Sequence, residues 1–158
     1  MKRYLKLGSA VLALIGVIMM FFTQVTVKFN SGTTERIAIK ALVGGDYSFG
    51  TTFNGVGSGL AGYILLGAGA LIIIASALVP YFKEHEMLSM TVAGLGVICL
   101  IIGLILIFLI RKNFVSANGF GDTPVVYVGW AAITAGSLAS VAALGGILGM
   151  ILDLTGSN

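Results

Sequence analysis

Four apolar runs, each about long enough to cross a lipid bilayer, decide what this chain can fold into. They are Leu7 to Val27, Leu60 to Phe82, Met90 to Ile110 and Val125 to Leu152, and a helix needs about 20 mostly apolar residues to span the hydrocarbon core. Inside lipid no water satisfies the backbone, so each run must close its own hydrogen bonds as a helix. Composition agrees: 58% of the 158 residues are hydrophobic, 9% are charged and the mean hydropathy is +1.06, which leaves too few charges to cover a soluble globule. The chain therefore reads as one integral membrane domain over residues 1–158, of the all-α membrane class, with four antiparallel spans.

Lys2, Arg3 and Lys6 precede the first run as a basic start precedes a secretory signal. The run passes through "MMFFTQVTV" with no small-residue cleavage site, so it reads as a retained helix. A basic start keeps the N-terminus cytoplasmic, and four spans bring the C-terminus to the same side of the cell membrane. The remaining basic residues do not add to that vote. Lys2, Arg3, Lys6 and Lys83 fall inside, whereas Lys28, Arg36, Lys40, Arg111 and Lys112 fall outside.

The first connection, Lys28 to Ser58, is about 30 residues and long enough to need structure of its own. "QVTVKFN" and "RIAIKAL" both alternate, through Val25, Val27 and Phe29 and then Ile37 and Ile39, with "NSG" as a turn between them. This is the pattern of a hairpin with one buried face, continuing directly from the first helix. The glycine-rich remainder carries Tyr47, Phe49 and Phe53, which either cover the sheet or form an exposed contact surface. "KEHEML" reads as a tight polar turn between the middle spans. The last connection has turn signals at Asn118-Gly119 and Gly121-Asp122, Phe114 and Val115 are placed to add an edge strand, and Pro124 opens the fourth helix. The expected fold is a four-helix bundle carrying a small extracellular β-sheet drawn from the first and third connections.

The fourth run is crowded with small residues: Gly129, Ala132, Gly136, Ala139, Ala143 and Gly146 recur at spacings of three and four. In lipid, helices associate through close packing, and small residues let backbones approach. Gly55, Gly62, Gly69 and Ser76 repeat every seven residues toward the second span; Gly96 and Gly103 do so in the third with Cys99 between them, and Ser9 and Gly16 in the first. These stripes predict a tight left-handed bundle. They serve either the core of one monomer or, in part, a neighbouring protomer or another membrane protein.

"YVGWAAITAGSLASVAALGG", Tyr127 to Gly146, resembles the start of the fourth helix in the claudin and peripheral myelin protein superfamily, where a Gly-Trp pair is followed by small residues and a closing Gly-Gly. The outline is similar as well: four spans, cytoplasmic termini, a long first extracellular loop that forms a sheet and a shorter second one that adds a strand. The resemblance implies a claudin-like fold. Claudins also carry a tryptophan-rich motif and two cysteines in the first loop; here Trp130 is in the fourth run and Cys99 in the third, so no disulfide can form within one chain. Adhesion and a paracellular pore are not carried over, and small bacterial four-span proteins share the same outline.

No run holds an ionisable residue in its interior, which is where membrane enzymes and pumps keep groups for chemistry. Asp153 and Arg111 lie at span ends. His85 between Glu84 and Glu86 reads as a solvated cap, since adjacent positions do not converge on a metal. Cys99 reads as a packing residue. Thr23 and Gln24, late in the first run, are placed to bond neighbouring helices. "GVGSG" lacks the lysine of a phosphate loop, and a net charge of +3 spread over both faces does not imply nucleic acid. Lys2, Arg3 and Lys6 are expected to touch anionic headgroups with Tyr4 at the interface. No cofactor or metal is expected. The favoured function is non-catalytic: a structural or interaction protein presenting its sheet and glycine-aromatic loop to a partner or another copy. A small transporter or channel subunit is the alternative, and a lipid-acting enzyme ranks behind both for want of an acid, base or nucleophile cluster.

Overall fold

In the computed structural model, which describes residues 2–48, 50–79, 85–121 and 125–155, the first apolar run is α-helical only over its first part, as far as Ile18. Helix α1 (Lys2–Ile18) tightens into a 3-10 turn at Met19–Phe21, and the β-branched Val25, Thr26 and Val27 then form strand β1 (Val25–Lys28). Strand β2 (Thr34–Ile37) returns antiparallel to it, with Gly32 at a positive φ of 83° in the turn that "NSG" marks.

Three expectations for the connections are corrected here. The alternation through Ile39 does not extend the strand: Lys40–Val43 forms one helical turn, α2, that buries Ala41 and Leu42. Phe114 and Val115 are not an edge strand, because they lie on α5 (Ile110–Ala117). That helix buries Ile110 and Phe114 on one side, and Arg111 and Lys112 are exposed on the other. The third strand is instead β5 (Val125–Val128), which the sequence had placed inside the fourth span. A short apolar run cannot be told from helix by pattern alone, and "VVYV" follows its β-branched and aromatic bias once β1 offers a partner.

The sheet has the order β2-β1-β5, with both pairs antiparallel; Val25 faces Ile37 and Val128, and Thr26 faces Arg36 and Tyr127. A second, two-stranded sheet pairs β3 (Gly45–Asp46) with β4 (Thr52–Phe53).

Among the described residues, helices α3 (Gly57–Leu78), α4 (Glu86–Phe108) and α6 (Trp130–Leu154) join α1 as four that are long and apolar enough to cross a membrane, which marks an integral membrane protein of the helical type. Each helix packs against two others, in the ring order α1, α3, α4, α6. Helix α4 begins at Glu86, inside the stretch read as a turn; Lys83, Glu84 and Pro80 lie outside the described residues, as do Pro124 and the Gly121-Asp122 turn signal at Asp122. The bundle is built inside out relative to a soluble one. Alanine and glycine of α6 are buried, while Leu71, Leu95, Leu144 and Leu148 are exposed toward what would be lipid.

Candidate functional site

The small residues close the bundle from within. A methyl group placed on Gly62 would lie 2.9 Å from the carbonyl oxygen of Gly103, and one on Gly103 would lie 2.7 Å from that of Gly62; Gly69 and Gly96 repeat the arrangement about two turns away, at 2.7 and 2.9 Å. These two reciprocal pairs put the backbones of α3 and α4 in contact. On α6, Gly136 receives the ring of Phe108 and Gly146 receives a methyl of Val97, with Ala139 and Ala143 buried between them and Ala132 buried one turn before. Ser76 is buried and its hydroxyl donates to the Ile73 carbonyl. Cys99 is partly buried, and its β-carbon lies 3.2 Å from where a Gly69 methyl would sit. Gly16 and Ser9 line the α1–α6 seam, the serine hydroxyl donating to the Ala142 carbonyl.

Two members of the stripes are not helical. Gly55 precedes α3 and lies against the backbone of Val43 and Gly44, while Gly129 caps α6 and lies against Thr23 and Gln24. Both sit where two chain segments touch with no room for a side chain, so they fasten the sheet end to the bundle rather than pack one span on another.

The aromatic residues of the first loop turn inward. Tyr47 and Phe53 are each only 6% exposed, which contradicts their reading as a contact surface; Phe49 lies outside the described residues. They belong to a chain of rings, Phe29–Tyr47–Phe53–Phe114–Phe120, with successive centroids 5.3, 4.7, 5.7 and 6.1 Å apart. That chain joins the hairpin, the small sheet and α5 into one apolar centre. Burial, with the Glu35 carboxylate adding repulsion, pushes the Tyr47 hydroxyl up to about 12.

Polar side chains tie the same end together. Gln24 is fully buried; its amide donates to the Met19 and Phe22 carbonyls, closing the end of α1, and its oxygen accepts from the Tyr63 hydroxyl of α3 at 2.7 Å. Arg111 Nε donates to the Val126 carbonyl at 2.7 Å, so α5 holds the outer edge of β5. The Asn118 side chain holds the Asn54 backbone across the two loops, accepting from its N at 2.7 Å and donating to its O at 3.1 Å, while the Asn54 amide donates to the Ala117 carbonyl; Ser48 N donates to Glu35 Oε1.

At the opposite end a polar clasp joins all four long helices, and it corrects the expectation that Lys6 meets lipid headgroups. Lys6 is only 3% exposed, pairs with Asp153 of α6, and reaches Ser89 Oγ of α4 at 3.4 Å; that hydroxyl donates to the Ser76 carbonyl of α3 at 3.1 Å. The missed signal was positional. Lys6 and Asp153 both sit in the terminal turns of their spans, where antiparallel helices bring the two chain ends together.

Among the described residues, no group of three or more His, Cys, Asp or Glu side chains could hold a metal. His85 caps the start of α4. The tip of the hairpin carries an open depression of about 420 Å³ lined by Phe29, Ser31, Thr33 and Ser48. Comparison of the chain with protein-family models, with curated proteins and with solved structures finds no match.

Proposed function

We propose that this chain is a claudin-like, non-catalytic membrane protein of the cell membrane whose bundle holds a rigid extracellular sheet out to a partner, either a second copy or another membrane protein. The observation that carries this reading is how firmly the sheet is built onto the spans. Three residues separate β1 from the 3-10 turn and one separates β5 from α6, with Gln24, Arg111 and the ring chain bonding the segments between. A segment fixed this way loses little freedom on contact, which favours recognition by a preformed surface. The β5 strand supplied by the connection before the fourth span, joined to a first-loop hairpin, supports the claudin-like arrangement.

With Tyr47 and Phe53 buried, the contact surface moves to the hairpin tip, where Ser31, Thr33 and Ser48 stand exposed around the depression, farthest along β1 and β2 from the spans. The basic residues in the first turns of α1 support cytoplasmic termini, which puts the tip outside. The experiment is cross-linking in native membranes followed by mild extraction and mass analysis. A homo-oligomer or a stable heteromeric complex is expected; a monomer before and after cross-linking would overturn the reading.

A further inference from the structure

We infer that the outward face of the β2-β1-β5 sheet is a seat for the anionic headgroups of the leaflet from which it rises, with Arg36 as the charged contact and Lys28, one row farther out, adding to the positive field. The strand register places Arg36, Thr26 and Tyr127 in one row and Thr34, Lys28 and Val125 in the next. Side chains alternate along a strand, so these six share one face. The opposite face carries Val25, Val27, Ile37 and Val126, all buried.

Charge is segregated between the two faces. Arg36, Lys28, Tyr127 and Val125 are exposed. Glu35 lies on the inner face with Oε1 accepting from Ser48 N, and Asp46 belongs to the other sheet. Among the described residues the outward face thus holds two cations and no carboxylate, and neither cation is in an ion pair.

Position selects lipid over other anions. Tyr127 stands three residues beyond Trp130, about 10 Å at full extension, and the headgroup layer on each side of the hydrocarbon is roughly 5–8 Å thick. The arginine stem lets its guanidinium reach down across the remainder. Below this row lies the pair Trp130 and Phe22, both exposed, with ring centroids 5.5 Å apart, placed as an aromatic belt at the edge of the hydrocarbon. From the spans outward the surface runs aliphatic, aromatic, cationic, the order in which a leaflet runs from acyl chain to ester to phosphate. An acidic protein segment would match the charge but not the apolar and aromatic steps beneath it. The inference rests on the four helices being spans and not on what the hairpin tip contacts.

Trp130 is the chain's one tryptophan and stands exposed at the edge of the hydrocarbon below the Arg36 row, so in the otherwise native chain it reports the lipids gathered there. The full chain is reconstituted in phosphatidylcholine vesicles with either dibrominated phosphatidylglycerol or dibrominated phosphatidylcholine, at equal mole fraction, as quencher. Stronger quenching by the anionic lipid is expected, weakening with salt, falling about fivefold in selectivity with Arg36→Gln and by less with Lys28→Gln, which stands one row farther from the leaflet. Arg36→Lys should keep the preference, and unchanged helical circular dichroism separates lost binding from lost fold. Equal quenching by the two lipids, a preference that survives removal of both cations, or an Arg36-dependent cross-link to an acidic protein in place of the lipid preference would overturn the inference.

Discussion

Alanine at Gly103 is expected to force the two middle spans apart. Its β-carbon would stand 2.7 Å from the Gly62 carbonyl oxygen and 3.2 Å from the Leu66 nitrogen, both backbone atoms that no rotamer change can move. Ordinary contact begins near 3.4 Å, so α3 and α4 must separate by about 0.7 Å at this crossing, with loss of contacts along the seam. Overpacking of this kind costs about 1–3 kcal/mol, offset by the roughly 0.5–1 kcal/mol that alanine gains over glycine within a helix. The net expectation is a loss of roughly 0–2.5 kcal/mol. Gly67 is the control, since a methyl there meets only a Val17 methyl at 3.7 Å and Gly67→Ala should be neutral or slightly stabilising. Reversible unfolding in mixed micelles, followed by circular dichroism, reads both. Combining Gly62→Ala with Gly103→Ala should cost less than the sum of the two, because one separation of the helices relieves both clashes. A Gly103→Ala protein as stable as Gly67→Ala would refute the claim that this seam is closed backbone to backbone.

Gly136→Leu, which must displace the Phe108 ring, is expected to lower thermal stability and to reduce helix packing in detergent; an unchanged melting temperature would mean that this position faces lipid. Lys6→Ala removes the buried cation that pairs with Asp153 and should destabilise the bundle by up to roughly 3 kcal/mol, whereas Lys6→Met with Asp153→Leu should recover much of that loss; the same unfolding assay decides. Tyr63→Phe removes the donor to a fully buried Gln24 oxygen and should cost about 1–3 kcal/mol, measured against wild type by the same route. For Tyr47 the folded state holds the hydroxyl at about 12 against 10 for an ordinary tyrosine, so its contribution is complete below pH 10 and is lost as pH rises toward 12. The slope is at most about 1.4 kcal/mol per pH unit, and a pH series comparing wild type with Tyr47→Phe should show it only in wild type.

The spans were legible because lipid admits only one local solution for an apolar run of that length, and the β1–β2 hairpin was legible because Val25, Val27 and Ile37 alternate around a glycine turn. Helix ends were less so. "VVYV" and the small-residue run behind it are equally apolar, and only the presence of β1 as a partner makes the first a strand and the second a helix. Phe114 carries the same aromatic signal on α5 as it would on a strand, and what decides is the continuation from α4 through Leu109. The aromatic residues of the first loop could be read inward or outward from sequence, since their burial depends on α5 arriving from far along the chain. The Lys6–Asp153 clasp depends likewise on two residues at opposite ends of the sequence, where local pattern carries no information about pairing.

The most direct test of the contact role places a photoreactive amino acid at Ser31 on the hairpin tip and, separately, at Leu71 on the exposed face of α3, and irradiates intact membranes. The account predicts a discrete protein adduct from Ser31, of a second copy or of one partner, and only lipid adducts from Leu71. Lipid or solvent adducts alone from Ser31, with a discrete protein adduct from Leu71, would contradict it and move the contact surface from the sheet to the spans.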